Sequence, residues 1–201
     1  MNLYLPDQIL LTQARRVLEK KHYKFFDGQE LNLIGVRRKD GVVNSFDDAM
    51  LVIHRSNGGH SIRKFEITTD PGKFWLENPE NKNGTAILIP GQYLATWKIG
   101  LHRGQYEALV QTRPVRVWRD SNRDAVLDYN AQVSETGIFG INVHRSNPKD
   151  ASVQVDKWSA GCQVFARAAD FDTFMDLCRR SVDKTGPFFS YTLLDEADFY
   201  A

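Results

Sequence analysis

Apolar residues recur at helical spacing near the start of the chain. Leu10, Ala14, Val17 and Leu18 share one face of residues 7–21, and Arg15, Arg16, Glu19 and Lys20 share the other. Pro6 suits the first turn of that helix. After Asp27-Gly28 the period changes to short runs rich in β-branched and aromatic residues, divided by Gly, Pro, Asn and Asp. These runs predict strands at 31–37, 50–54, 62–69, 85–89, 92–99, 107–112, 115–119, 138–144, 161–166 and 188–194. A second helical stripe, Phe171, Phe174, Met175, Cys178 and Val182, predicts a helix over about 169–183, and Gly186-Pro187 ends it. The pattern is mostly β with few helices, an α+β chain. Polar loops at 54–61, 77–84 and 145–157 are placed to rim a cleft.

Composition narrows the class. The 201 residues are 42% hydrophobic and 25% charged, which fits one compact domain with or without a small appendage. With 26 basic against 25 acidic residues, net charge gives no reason to expect nucleic acid or an anionic membrane as partner. The first residues lack the basic stretch, apolar core and cleavage site of a secretory signal, and no run is long enough to cross a bilayer. Two cysteines make no disulfide framework, and Cys178 falls on the buried stripe of the second helix.

The candidate chemistry lies in Val155-Asp-Lys-Trp-Ser-Ala-Gly-Cys-Gln-Val-Phe165 and in His144 upstream. A thiol is a useful nucleophile only as its thiolate, so it needs a base and a setting that holds the charge. His144 is the candidate base for Cys162. Gly161 permits close backbone approach, and the amides around Gly161 and Cys162 are candidate oxyanion donors. The bland alternative is a buried cysteine beside a hydrogen-bonded strand-end histidine.

Three stretches, in order, resemble the L,D-transpeptidase catalytic domain, the YkuD-like family. They are Ile89-Pro90-Gly91-Gln92-Tyr93, then Ile138-Phe-Gly-Ile-Asn-Val-His144, and then Ser159-Ala160-Gly161-Cys162. The resemblance covers roughly residues 85–170 and implies a β-sandwich with a helix after the cysteine strand. It divides the chain into an N-terminal helix-and-strand segment, 1–60, either appended or integral, and an L,D-transpeptidase-like domain, 61–201. By that resemblance Cys162 is the nucleophile, His144 the base, and the backbone carbonyl of Arg145 orients the imidazole. Tyr93, Trp158, Ser159 and Arg167 are the candidate substrate contacts.

The chain departs from the family at two positions. Ala160 stands where many members have a second histidine, and Val164 where they have an arginine, so Arg145 and Arg167 are the candidates to bind a substrate carboxylate, with a solvent-exposed role the equal alternative for either. The implied activity is cysteine-dependent acyl transfer on peptidoglycan stem peptides at L,D bonds, through a thioester that passes to water or to an amine. No cofactor is implied. With no export signal in the sequence, a bacteriophage cell-wall-degrading protein is one expected context. The alternative function is a catalytically inert structural or cell-wall-binding protein on the same fold.

Two further clusters carry weaker signals. Asp120, Asn122, Asp124 and Asp128 are spaced as in a calcium loop, but Ala125 and Ala131 occupy the positions that need glycine and an acid, and a plain turn is the simpler reading. His54 and His60 frame a polar loop without a third metal ligand in view, so no metal site is assigned.

Overall fold

The computed structural model describes residues 5–38, 42–56, 58–129 and 132–200. Eight strands close a barrel in the order β1 (Asn32–Arg37), β11 (Phe188–Asp195), β5 (Gly91–His102), β6 (Tyr106–Gln111), β9 (Val143–Arg145), β10 (Gln163–Phe165), β3 (Gly59–Thr68) and β2 (Asp48–Ser56). A separate three-stranded sheet has the order β4 (Thr85–Leu88), β7 (Val115–Asp120) and β8 (Ser134–Gly137). The helices are α1 (Asp7–Lys20), α2 (Lys73–Glu77), α3 (Ala168–Thr185) and α4 (Glu196–Tyr200). Among the described residues no helix is long and apolar enough to cross a membrane.

The mostly β, α+β class is therefore present, and the expected sandwich is replaced by a barrel. Inner faces of sandwiches and barrels alternate with the same period of two, so strand patterns do not separate them. Closure is decided by β1, which pairs antiparallel with β2 on one side and parallel with β11 on the other. No free edge remains there.

Alternation sorts the apolar residues into two clusters. Leu33, Met50, Val52, Phe65, Ile67, Val143, Phe165, Tyr191 and Leu193 form the first, joined by Phe171, Phe174, Met175 and Cys178 of α3. Ile34, Val36, Ala49, Leu51, Ile53 and Leu194 turn to the other side and meet Leu10, Ala14, Val17 and Leu18 of α1. Both faces of β1 and β2 are thus covered, which explains their continuous apolar runs. The boundary placed at residue 60 falls inside the β2–β3 hairpin, and residues 1–60 contribute two barrel strands and the helix that packs on them. The same hairpin replaces the polar loop expected at 54–61.

Arg37 joins the barrel to the small sheet. It is completely buried, and its Nη1 donates to the Leu88 carbonyl of β4 at 2.7 Å. Its Nη2 donates to the Thr69 carbonyl at 2.9 Å, and its Nε lies 2.9 Å from Asp70 Oδ1. Tyr129 completes the cluster: its hydroxyl donates to Asp70 Oδ2 at 2.8 Å, and its ring lies under the guanidinium. Asp48 accepts from the Thr69 N–H and hydroxyl at 2.7 and 2.8 Å. Removing the cation strands buried acids and carbonyls. Arg37→Met is therefore expected to cost about 3–5 kcal/mol, read as a lowered urea midpoint, and an unchanged midpoint would contradict this role.

Candidate active site

His144 and Cys162 meet because β9 and β10 pair in parallel, with Gln163 opposite Val143 and Val164 opposite His144. Val143, Gln163 and Phe165 face the interior, so alternation turns Asn142, His144, Cys162 and Val164 to the other face. Cys162 then lies beside Asn142, and His144 is two residues further along the neighbouring strand, about 6–7 Å on at the parallel-strand rise. His144 is buried at 3% exposure, and Cys162 is partly exposed.

The imidazole is held from several sides. Nδ1–H donates to the carbonyl of Arg145 at 2.8 Å, and because a carbonyl only accepts, the Nε2 lone pair is left unprotonated in the neutral ring. The Tyr106 hydroxyl donates to the same carbonyl at 3.2 Å and lies 3.4 Å from Nδ1. His102 stacks on the ring, with centroids 4.0 Å apart and planes 21° from parallel. The Asn142 amide donates to His102 Nδ1 at 3.1 Å, and its own oxygen accepts the Gln111 N–H, which fixes the amide orientation.

The thiol is held by the strand segment opposite. Asn142 N–H points at Sγ from 3.4 Å, and Sγ–H is directed at the Gly140 carbonyl, also 3.4 Å away. This segment was expected to be strand from 138, but only Val143–Arg145 pairs as one. The reason is Gln111. Its side-chain oxygen accepts the N–H groups of Phe139 and Ile141, and its amide donates to the Gly137 carbonyl, so the backbone is satisfied by a side chain rather than by a neighbouring strand. Trp97 donates to the Ile141 carbonyl at 2.7 Å and clamps the same stretch from the interior.

Several expected contacts take other roles. Gly161 has φ +118° and a Cβ there would lie 2.3 Å from the Ala86 carbonyl oxygen, so glycine is required by packing on β4 rather than by a bound carbonyl. Its N–H donates to Ser159 Oγ at 3.1 Å and is not a free oxyanion donor. The N–H of Cys162 makes no hydrogen bond among the described residues, which leaves it as the available donor. Ser159 is fully buried, and its hydroxyl donates to the Cys162 carbonyl at 2.9 Å, so it shapes the turn instead of touching substrate.

Tyr93 packs edge-on against Trp97, and its hydroxyl donates to the Ile89 carbonyl beside Pro90-Gly91. Arg167 pairs with Glu66 at 3.0 Å and borders a separate hollow with Ser45, Phe46 and Val153. The Arg145 side chain lies over the Tyr106 ring, 4.2 Å from its centroid.

Beside the cysteine turn lies a groove of about 360 Å³. Ala160 and Ala86 line it together with Trp75, Phe139 and Arg119. Trp158 is 41% exposed and does not line it. The sequence reading missed Trp75, His102, Arg103 and Tyr106. No spacing pointed to them, because they arrive from α2 and from the end of the β5–β6 hairpin.

Electrostatics keep the resting pair neutral. Burial, with help from His102 and the nearby arginines, lowers the His144 imidazole to about 3, and burial lowers His102 to about 4. Burial raises the Cys162 thiol to about 11, opposed by the Asn142 N–H and by the charge of Arg103. The buried Cys178 thiol is also raised by burial.

Neither the calcium spacing nor the two histidines forms a cation site among the described residues. The Asn122 amide donates to Asp124 Oδ2 and Asp128 Oδ2, filling the space between the carboxylates with a donor, and Asp128 N–H bonds Asp120 Oδ2. Ala131 lies outside the described residues. His60 turns to Arg15 and Phe25, and His54 sits on the opposite strand with its Nδ1 against the Arg55 carbonyl.

Comparison with protein-family models, with curated proteins and with solved structures returns no match.

A neutral thiol beside a neutral imidazole has a measurable consequence. Below the thiol's raised pKa the thiolate fraction grows about tenfold per pH unit. Iodoacetamide labelling of Cys162 is expected to climb at that slope from pH 7 to 10, with Cys178 unlabelled in the folded protein. A rate already level at pH 7 would show a preformed thiolate.

Proposed function

We propose that this protein is a cysteine-dependent acyl-transfer enzyme that acts on peptidoglycan stem peptides at L,D bonds. The observation that carries the chemistry is the pairing of β9 and β10, which sets a partly exposed thiol and a tautomer-locked imidazole on one face of adjacent strands. The substrate class rests on the three stretches around Pro90-Gly91, His144 and Cys162 that resemble the L,D-transpeptidase domain.

In the reaction, Sγ–H turns from the Gly140 carbonyl toward His144 Nε2 and gives up its proton as Sγ bonds to the substrate carbonyl carbon. The carbonyl oxygen becomes an oxyanion that the Cys162 N–H stabilises. The imidazolium is held by the Arg145 carbonyl on Nδ1, and it protonates the leaving amine as the C–N bond breaks. Water or an amine then attacks the thioester, passing its proton back through Nε2, and Cys162 leaves as the thiol. Hydrolysis gives trimmed or cut stems, and attack by an amine gives a cross-link.

Arg103 is suited to the carboxylate-binding task that Val164 cannot perform. It is exposed at the hairpin tip, makes no ion pair among the described residues, and its charge reaches Cys162 and both histidines. Arg103→Ala is expected to raise KM severalfold with little change in kcat, the signature of lost uniform binding. An unchanged KM removes Arg103 from the substrate.

A second reading, an inert structural or wall-binding protein, is favoured by one observation: both Sγ hydrogen bonds run to the 140–142 backbone and none to His144. Digestion of purified peptidoglycan, with mass spectrometry of the fragments, separates the two. The enzyme is expected to release a terminal D-amino acid, open cross-links or form new dimers, and Cys162→Ala and His144→Ala each abolish the change. Fragments identical to the Cys162→Ala control support the inert protein.

A further inference from the structure

We propose that a second site, a basic groove of about 300 Å³ between the β2–β3 hairpin and α3, binds a base-free phosphodiester polymer of the polyol-phosphate kind. The proposal stands independently of the acyl-transfer reading.

Arg55, Arg63, Arg180 and Lys184 line this groove, and no acidic residue does. Among the described residues none of the four makes an ion pair, whereas Arg15, Arg37, Arg119, Arg167 and Arg179 all do. Asp27, the acid whose charge is felt together with that of Arg55, is already bonded to Arg15 at 2.8 Å. In a chain with a net charge of only +1, four exposed cations without an ion pair gathered around one groove make a positive field that attracts an anion. His54 also lines the groove, and its Nε2, sealed from solvent, has no hydrogen-bond partner among the described residues.

The helix contribution is regular. Thr173, Leu177, Arg180, Ser181 and Lys184 fall on one face at i, i+4, i+7, i+8 and i+11, so α3 offers the groove two cations one turn apart, while the Thr173 hydroxyl donates to the Ala169 carbonyl and the buried Ser181 hydroxyl pairs with Thr185. Guanidinium groups take phosphate oxygens in a fork. No Phe, Tyr or Trp lines the groove, so it lacks the stacking platform that single-stranded nucleic acid requires. The chemistry favours a phosphate chain without bases.

The test uses the whole protein and a fluorescein-labelled glycerol-phosphate oligomer, followed by anisotropy across salt concentrations. Binding is expected, and each neutralised phosphate adds about 0.7–0.9 to the slope of log K against log salt. Arg63→Glu with Arg180→Glu should weaken binding at least about tenfold and flatten the slope by about 1–2, as two phosphate contacts are lost. Arg63→Gln with Arg180→Gln, which retains polar side chains, should do the same in part and guards against a folding defect. The pair Lys20→Glu and Lys82→Glu, an equal charge change at exposed positions elsewhere, should leave binding intact. No binding by the native protein, equal losses in the two charge-reversed pairs, or tighter binding of an oligothymidine of matched length would each overturn the proposal.

Discussion

The parallel pairing of β9 with β10 is the constraint on which both the barrel and the site depend. Each strand is only three residues long, yet together they bridge β6 to β3 and complete the ring. The same register sets His144 and Cys162 on one face. A slip of one residue would turn the cysteine into the core and open the interior cluster. So short a pair cannot hold its register by ladder hydrogen bonds alone, and side chains from elsewhere supply the rest. Gln111 and Trp97 hold the approach to β9, and Ser159 holds the turn before β10.

A continuous set of buried polar contacts extends from that turn. Tyr191 donates to the Gln163 side chain at 2.7 Å, and Thr69, next to Gln163, accepts from Arg37, whose other contact reaches β4. The carbonyl of Ala86 on that same strand meets Gly161. The small sheet thus presses on the cysteine turn from one side while the barrel supports it from the other. Such networks are stable only when every member is satisfied, which makes the geometry at Cys162 dependent on residues as distant in sequence as Arg37.

The site's electrostatics follow from the same packing. Stacking His102 on His144 beneath a buried surface disfavours charge on either ring, and the enclosure of Sγ disfavours the thiolate. The resting state is therefore neutral on both sides, and in the proposed reaction the imidazole would take the proton as the bond to sulfur forms. The locked tautomer supports that role, because Nδ1 is committed to Arg145 and Nε2 alone keeps a lone pair.

Periodicity was enough to locate α1, α3 and most strands, since each buries a stripe or a face whose spacing is a local property. The motif chemistry was legible for the same reason: Gly161-Cys162 and the strand-end His144 are short segments that declare their residue types. What local pattern could not decide was which edges pair. Alternation is identical for a sandwich and a barrel, so closure through β1 and β11 appears only in three dimensions. The segment 138–142 reads as strand but is held by the Gln111 side chain, a partner about thirty residues away. Tyr93, Ser159 and Arg167 carry the right chemistry for substrate, yet burial or an existing partner employs them elsewhere. His102, Arg103 and Tyr106 reach the site only because the β5–β6 hairpin folds beside β9. The sequence by itself determined most of the elements and picked out Cys162 and His144 as a candidate nucleophile and base. Tertiary structure decided their neighbours, because contacts between distant segments leave no mark on local spacing.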